Sequence, residues 1–191
     1  MEAFLLSTSL VALAEIGDKT QLLAFALAAR FRRPWPIIGG ILLATLANHA
    51  FAAALGAWVA SLLGPQTLRW VLALSFCAMA VWMMIPDKLD EEDAATPALG
   101  VFAATTVAFF LAEMGDKTQL ATVALAAQFN AFVAVVAGTT LGMMLANVPA
   151  VLIGGRLGRR LPLRLIHGLA ALMLLALGIA TAFGAGERFG F

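Results

Sequence analysis

The sequence predicts an all-α, polytopic membrane protein whose six transmembrane helices form two inverted three-helix repeats. Three observations predict this fold: six long apolar stretches, a polar motif that occurs twice, and a repeat unit that contains three helices. Of the 191 residues, 62% are hydrophobic and only 12% are charged, and the mean hydropathy is +0.96. Apolar stretches of roughly 18 residues or more are typical of membrane-spanning helices.

The six predicted spans are joined by short connections. Each is long enough to cross a hydrocarbon core of about 30 Å at 1.5 Å per residue, and the longer ones are expected to tilt or break. Residues 1–86 are predicted to form the first repeat, 87–98 an acidic cytoplasmic loop and 99–191 the second repeat. The spans are predicted at residues 3–29, 36–63, 68–85, 99–127, 131–154 and 163–183.

The loop charges predict the orientation, because loops rich in Lys and Arg stay on the cytoplasmic side during insertion. One side of the predicted membrane has eight such residues, and the other has only Arg69 and Arg188. Both termini are therefore expected on the non-cytoplasmic side. The eight residues are Arg30, Arg32, Arg33, Lys88, Arg156, Arg159, Arg160 and Arg164.

Charge and composition exclude several classes of protein. The formal net charge is +1 and the basic residues lie in short loops, which argues against a nucleic-acid partner. The single cysteine, Cys77, provides neither a disulfide framework nor a thiolate cluster for a soft metal. No Ser-His pair, His-Glu-x-x-His pattern or cofactor loop occurs, so neither an enzyme nor a resident cofactor is expected.

The duplication is the strongest feature of the sequence. EIGDKTQLLAFALAARF at residues 15–31 matches EMGDKTQLATVALAAQF at residues 113–129 at 12 of 17 positions, with a spacing of 98 residues. A weaker echo pairs Asn48 with Asn147 after a shift of one residue. Because each repeat crosses the membrane three times, which is an odd number, the second copy is expected to enter the membrane from the opposite face. Inverted repeats of this kind are typical of transporters that work by alternating access.

Four carboxylates near the middle of the membrane are predicted to form one metal site. Glu15 and Asp18 are three residues apart, as are Glu113 and Asp116, so each pair is expected on one face of its helix. A charge at the bilayer centre costs about 2.5 to 3.5 kcal/mol, and such residues are functional by default. If the two faces meet, the four carboxylates offer the oxygen ligands that a hard divalent cation prefers.

Two lysines follow the aspartates directly. Lys19 and Lys117 are expected to compensate charge or to gate the site, and either side chain could turn away from it. With both included, four carboxylates leave a net charge of −2, which one divalent cation neutralises. Crowded carboxylates can bind either protons or the metal, so proton antiport is the hypothesis for coupling.

Neutral polar residues around the motif are candidates for further ligands or for proton coupling, although they could equally form hydrogen bonds between helices. Gly17 and Gly115 lie between the acids, where the absent side chain allows another helix or the ion to approach, or allows the helix to open locally. A neutral imidazole at His49 can bind Mn²⁺, but Val148 stands at its matching position, so a packed or proton-relaying histidine is expected. The candidate ligands are Thr20, Gln21, Thr118, Gln119, Asn48 and Asn147.

The two Glu-x-Gly-Asp-(Lys/Arg)-(Thr/Ser) motifs resemble those of the Gdt family of bacterial and Golgi cation transporters. The resemblance extends over essentially the whole chain. It implies exchange of Ca²⁺ or Mn²⁺ for protons, with Glu15, Asp18, Glu113 and Asp116 as the acids that bind the transported ion. For bacterial members it further implies manganese export across the plasma membrane. Spacing does not choose between Mn²⁺ and Ca²⁺, since both are hard, oxygen-seeking ions.

A metal-permeable channel without proton coupling is the alternative function. It would also need polar groups at the middle of the membrane. The inverted repeat and the lack of a continuous polar stripe favour a carrier. The expected partners are a divalent cation, protons and the lipid bilayer.

Overall fold

The computed structural model describes residues 1–85, 100–153 and 163–184, and these residues form eight α-helices. The all-α prediction is confirmed for these ranges. The predicted acidic loop and most of the basic stretch before the last span lie outside them. The helices are α1 (Glu2–Glu15), α2 (Lys19–Phe31), α3 (Pro34–Leu62), α4 (Pro65–Met83), α5 (Gly100–Glu113), α6 (Lys117–Phe129), α7 (Phe132–Ile153) and α8 (Leu163–Ala182).

Four of these helices, α3, α4, α7 and α8, are long and apolar enough to cross a membrane. The longest, α3, has 29 residues and therefore extends about 44 Å. The other two predicted spans are each divided into two helices, of 14 and 13 residues in both cases. The longer spans were expected either to tilt or to break, and these two are broken.

Both breaks lie inside the duplicated motif and have the same backbone geometry. Gly17 and Gly115 have φ values of +86° and +77°, which a residue without a Cβ adopts without strain. Asp18 and Asp116 then cap the next helix, with ψ values of 170° and 166°. The expectation that each Glu–Asp pair projects from one helix face is therefore wrong. Each glutamate ends one helix, and its aspartate begins the next.

Small residues set the helix packing. α1 packs along α7 and α5 packs along α3. A Cβ at Gly138 of α7 would lie 2.6 Å from the Phe4 carbonyl oxygen, and one at Gly40 of α3 would lie 2.8 Å from the Phe102 carbonyl oxygen. Only glycine permits such close backbone contact, as is common between helices in membranes.

Each of these long helices also runs along the second half of a broken span. On α3, Gly40 contacts α5, and Gly56 contacts Val123 of α6. On α7, Gly142 contacts Thr8 of α1, and the Ala146 carbonyl oxygen accepts a hydrogen bond from Gln21 of α2. α3 thus follows α5 and α6 in the same chain direction, and α7 follows α1 and α2.

The distribution of polarity is that of a membrane protein. Large apolar side chains on the outer faces are exposed, among them Phe51, Leu74 and Val81 at 65%, 68% and 70%. The acidic residues of both motifs are instead buried between the helices. An apolar exterior around a polar interior suits a lipid environment, so this is a multi-pass membrane protein.

Candidate metal centre

Three carboxylates meet where the two broken spans approach each other. One oxygen from each of Glu15, Glu113 and Asp116 lies within 4.8 Å of the other two. All three side chains are buried. The structure thus brings together three of the four predicted acids, one from the first motif copy and two from the second. Asp18 is also buried, but within the ranges described it is not part of this group.

Threonines orient both glutamates. The Thr20 hydroxyl donates a hydrogen bond to Glu15 Oε2, and the Thr118 hydroxyl donates one to Glu113 Oε1. The other oxygens, Glu15 Oε1 and Glu113 Oε2, are buried and have no hydrogen-bond partner among the described residues. Buried polar atoms are seldom left unpaired, so these two oxygens are positioned for a ligand.

The two lysines have different partners. Lys19 Nζ lies 3.7 Å from Asp116 Oδ1, and this pair joins the two motif copies. Lys117 Nζ instead donates a hydrogen bond of 2.7 Å to the carbonyl oxygen of Ile85, beyond the end of α4. The sequence left open whether either lysine faces the site. Lys19 provides a positive charge beside the carboxylate group, whereas Lys117 also ties α6 to the chain after α4.

The glutamines hold the helix breaks in place. Gln21 Oε1 accepts a hydrogen bond of 2.8 Å from the Gly17 N–H, and Gln119 Oε1 accepts one of 2.7 Å from the Gly115 N–H. Each carbonyl thereby satisfies a backbone donor that the broken helix cannot pair. The sequence predicts only a ligand or an interhelical hydrogen-bond partner for these oxygens. Each glutamine follows its glycine by four residues, and this spacing is the feature of the sequence that could have indicated the role.

The two predicted asparagines are used differently. Asn48 Nδ2 donates to the Phe110 carbonyl oxygen (3.0 Å), and its Oδ1 accepts from Gln119 (3.3 Å), so Asn48 bridges helices. Asn147 Nδ2 donates to the Met143 carbonyl oxygen (3.1 Å), but its buried Oδ1 has no hydrogen-bond partner in the described part of the chain. The Asn147 side chain lies beside Glu15. Asn147 therefore offers a free oxygen next to the carboxylates.

The contacts also correct the sequence alignment of the second and fifth spans. Gln21 bonds to Ala146 in one half of the molecule, and Gln119 bonds to Asn48 in the other. At a constant spacing of 98 residues, Asn48 corresponds to Ala146. Gly40 and Gly138, whose contacts also match, have the same spacing. The expected shift of one residue is therefore wrong, and the residue equivalent to Asn147 is His49.

The two breaks are not equally covered. At the first, Leu163 of α8 packs directly on Gly17, and His167 Nε2 donates a hydrogen bond of 2.7 Å to the Ile16 carbonyl oxygen. At the second, a Cβ on Gly115 would meet no described atom within 4 Å, and Met114 is 56% exposed. Among the described residues, the first break is therefore covered by α8, whereas the backbone of the second break is not covered by another helix.

Comparisons with known proteins agree with the motif. The family model for "Divalent cation/proton antiporter GDT1" matches residues 3–91 and 101–188. The chain is 55% identical over 184 residues to the Vibrio cholerae protein named "Putative manganese exporter", covering 96% of this chain and 92% of that protein. It is 30% identical over 177 residues to "GDT1-like protein sll0615" of Synechocystis, covering 82% and 84% respectively. No solved structure matches.

Proposed function

This chain belongs to the GDT1 family of divalent cation/proton antiporters, and on that premise we propose that it exports a divalent metal cation, Mn²⁺ or Ca²⁺, in exchange for protons. The observation that carries the proposal is the buried group of Glu15, Glu113 and Asp116, to which both motif copies contribute. Mn²⁺ is the first candidate, because the relative that is 55% identical is named as an exporter of manganese.

The charge of the group suits a divalent ion. Three ionised carboxylates together with Lys19 carry a net charge of −2. One divalent cation neutralises that charge, whereas a monovalent cation leaves an uncompensated charge in a medium of low dielectric constant. The available atoms are oxygens, which both Mn²⁺ and Ca²⁺ accept as ligands.

We assign ligand roles from the unpaired atoms. Glu15 Oε1, Glu113 Oε2 and Asn147 Oδ1 are proposed to bind the ion together with Asp116. Thr20 and Thr118 fix the glutamate orientations through their hydrogen bonds. Gln21 and Gln119 support the site indirectly, because their hydrogen bonds stabilise the backbone at the two helix breaks.

The symmetry of the contacts supports alternating access in a six-span, inverted-repeat fold. α1 lies on α7 as α5 lies on α3, and the contacts of Gly138 with Phe4 and of Gly40 with Phe102 are related by a spacing of 98 residues. If the two halves exchange conformations, both glutamates stay in the site and Asp18 takes the place of Asp116. Lys117 then takes the place of Lys19. Both termini lie on the non-cytoplasmic side of the plasma membrane in this proposal.

Proton coupling follows from competition within the same group. When the cation leaves, three carboxylates held within 4.8 Å of one another would repel strongly in the membrane interior. Protons that enter from the opposite side relieve this repulsion and are displaced when the next cation binds. Metal movement in one direction is thereby tied to proton movement in the other.

The unequal covering of the two breaks favours a carrier over a channel. A channel needs a path that is open from both sides at once. Here Leu163 covers the first break, whereas no atom of the described residues packs on Gly115 at the second. The three carboxylates are buried, as expected for a carrier whose site is closed between its two open states.

Transport into proteoliposomes that contain a metal-sensitive dye tests the function. We expect Mn²⁺ uptake that increases with an imposed pH gradient, and loss of uptake in Glu113→Gln. Glu2→Gln makes the same chemical change at an exposed residue and should transport normally. Metal flux that ignores the pH gradient would contradict antiport, and normal flux in Glu113→Gln would contradict the assigned site.

A further inference from the structure

One buried histidine has no part in the site described so far. His49 on α3 has a relative exposure of 0%, and neither ring nitrogen has a hydrogen-bond partner in the ranges that the structure describes. By contrast, His167 is bonded to the Ile16 carbonyl oxygen. A neutral imidazole has one donor and one acceptor, and burying both without a partner is costly. Such a side chain points to a ligand.

The register between the two halves gives His49 a defined place. It is equivalent to Asn147 at the spacing of 98 residues that relates Gly40 on Phe102 to Gly138 on Phe4. Asn147 lies beside Glu15 and has a free oxygen. The same register makes His49 the counterpart of Asn147 relative to Glu113, but in this conformation its ring nitrogens are not part of the 4.8 Å group of Glu15, Glu113 and Asp116.

The helix faces support this placement independently. His49 and Gly56 are seven residues apart, which is close to two helical turns, so both lie on the same face of α3. Gly56 packs on Val123 of α6. Val123 is itself seven residues after Asp116, and α3 runs along α6 in the same direction. His49 is therefore level with the start of α6, where Asp116 joins the carboxylate group.

We propose that His49 supplies an imidazole nitrogen to the transported cation and thereby favours Mn²⁺ over Ca²⁺. The proposal rests on the transport function proposed above. Ca²⁺ takes oxygen ligands, whereas imidazole binds transition-metal ions well. A neutral imidazole also adds a ligand without changing the net charge of −2 formed by the three carboxylates and Lys19. The site would then combine an amide oxygen from one half with a ring nitrogen from the other.

Pulsed electron paramagnetic resonance of Mn²⁺ bound to the full-length protein in detergent tests the inference directly. We expect a ¹⁴N coupling from a coordinated imidazole in the unaltered protein. It should be lost in His49→Asn and kept in His167→Asn, which removes the other histidine of the chain. Asn147→His should add a second coupling, and this variant tests the register even if His49→Asn fails to fold.

Transport competition provides the functional readout. In His49→Asn, the preference for Mn²⁺ over Ca²⁺ should decrease by at least about tenfold, as expected for loss of a metal-site partner. Bound Mn²⁺ without any ¹⁴N coupling, or a coupling that persists in His49→Asn, would overturn the role of His49 while leaving the antiporter intact. A protein that neither binds nor transports Mn²⁺ would overturn both proposals.

Discussion

Lys19 of the first motif copy lies 3.7 Å from Asp116 of the second, so the two copies are joined by a charge pair next to the carboxylate group. The equivalent Lys117 bonds instead to the Ile85 carbonyl oxygen. Identical motifs therefore have unequal surroundings in this conformation.

Lys19→Gln should bind Mn²⁺ more tightly and transport it more slowly. Without this lysine, the three carboxylates carry a net charge of −3, which holds the cation more strongly and delays its release. We expect Kd to decrease by about tenfold, equivalent to about 1.4 kcal/mol. Equilibrium binding and initial transport rates measure both effects. Lys117→Gln is the matched variant, and tighter binding there rather than in Lys19→Gln would refute the assigned charge balance.

Variants of the two aspartates should affect metal binding and transport differently. Asp116→Asn removes a member of the carboxylate group, so Mn²⁺ binding should weaken by about tenfold or more. Asp18→Asn should bind Mn²⁺ more tightly than Asp116→Asn does, because Asp18 is outside the carboxylate group in this conformation. It should nevertheless stop transport, because Asp18 is proposed to replace Asp116 in the exchanged conformation. Calorimetric titration and vesicle uptake on both variants check this difference. Equal loss of binding in the two variants would show that all four acids act together at once.

Loss of a threonine hydroxyl should weaken metal binding without removing a charge. Thr118→Val deletes the hydrogen bond that orients Glu113, which corresponds to about 1.5 to 3 kcal/mol for a bond to a charged group. The expected result is an increase in the Mn²⁺ Kd of about tenfold or more. Thr106→Val removes a similar hydroxyl on the exposed face of α5 and should have no effect on Kd. Unchanged binding in Thr118→Val would mean that Glu113 keeps its orientation without the hydroxyl.

Thiol labelling can test which break is open. In a Cys77→Ala background, Met114→Cys should react with a water-soluble maleimide much faster than Ile16→Cys. Met114 is 56% exposed at the second break. Ile16 lies at the first break, where its carbonyl oxygen accepts a hydrogen bond from His167 of α8. Bound Mn²⁺ should protect Met114→Cys if the site opens on that side. Faster labelling of Ile16→Cys would place the opening at the other break.

Hydropathy predicted the approximate bounds of the apolar segments, since apolar stretches form helices locally, but the described residues form eight helices and not six because two predicted spans are each divided. The break in each duplicated span was one of two expectations, and the glycines between the acids marked where it falls. The relation of Glu15 to Asp18 could not be obtained from a spacing of three residues. Residues three apart share one face only in a continuous helix, and the positive φ of Gly17 interrupts the helix between Glu15 and Asp18.

The sequence by itself determined that this protein is built of membrane helices and carries a duplicated acidic motif, because hydropathy and repetition are written along the chain. The tertiary structure decided that Glu15, Glu113 and Asp116 meet, and that Lys19 pairs with Asp116. It also decided that His49 is the counterpart of Asn147. The physical reason is that these relations depend on close contacts between distant segments, such as Gly40 on α5 and Gly138 on α1, which fix the register of one helix against another.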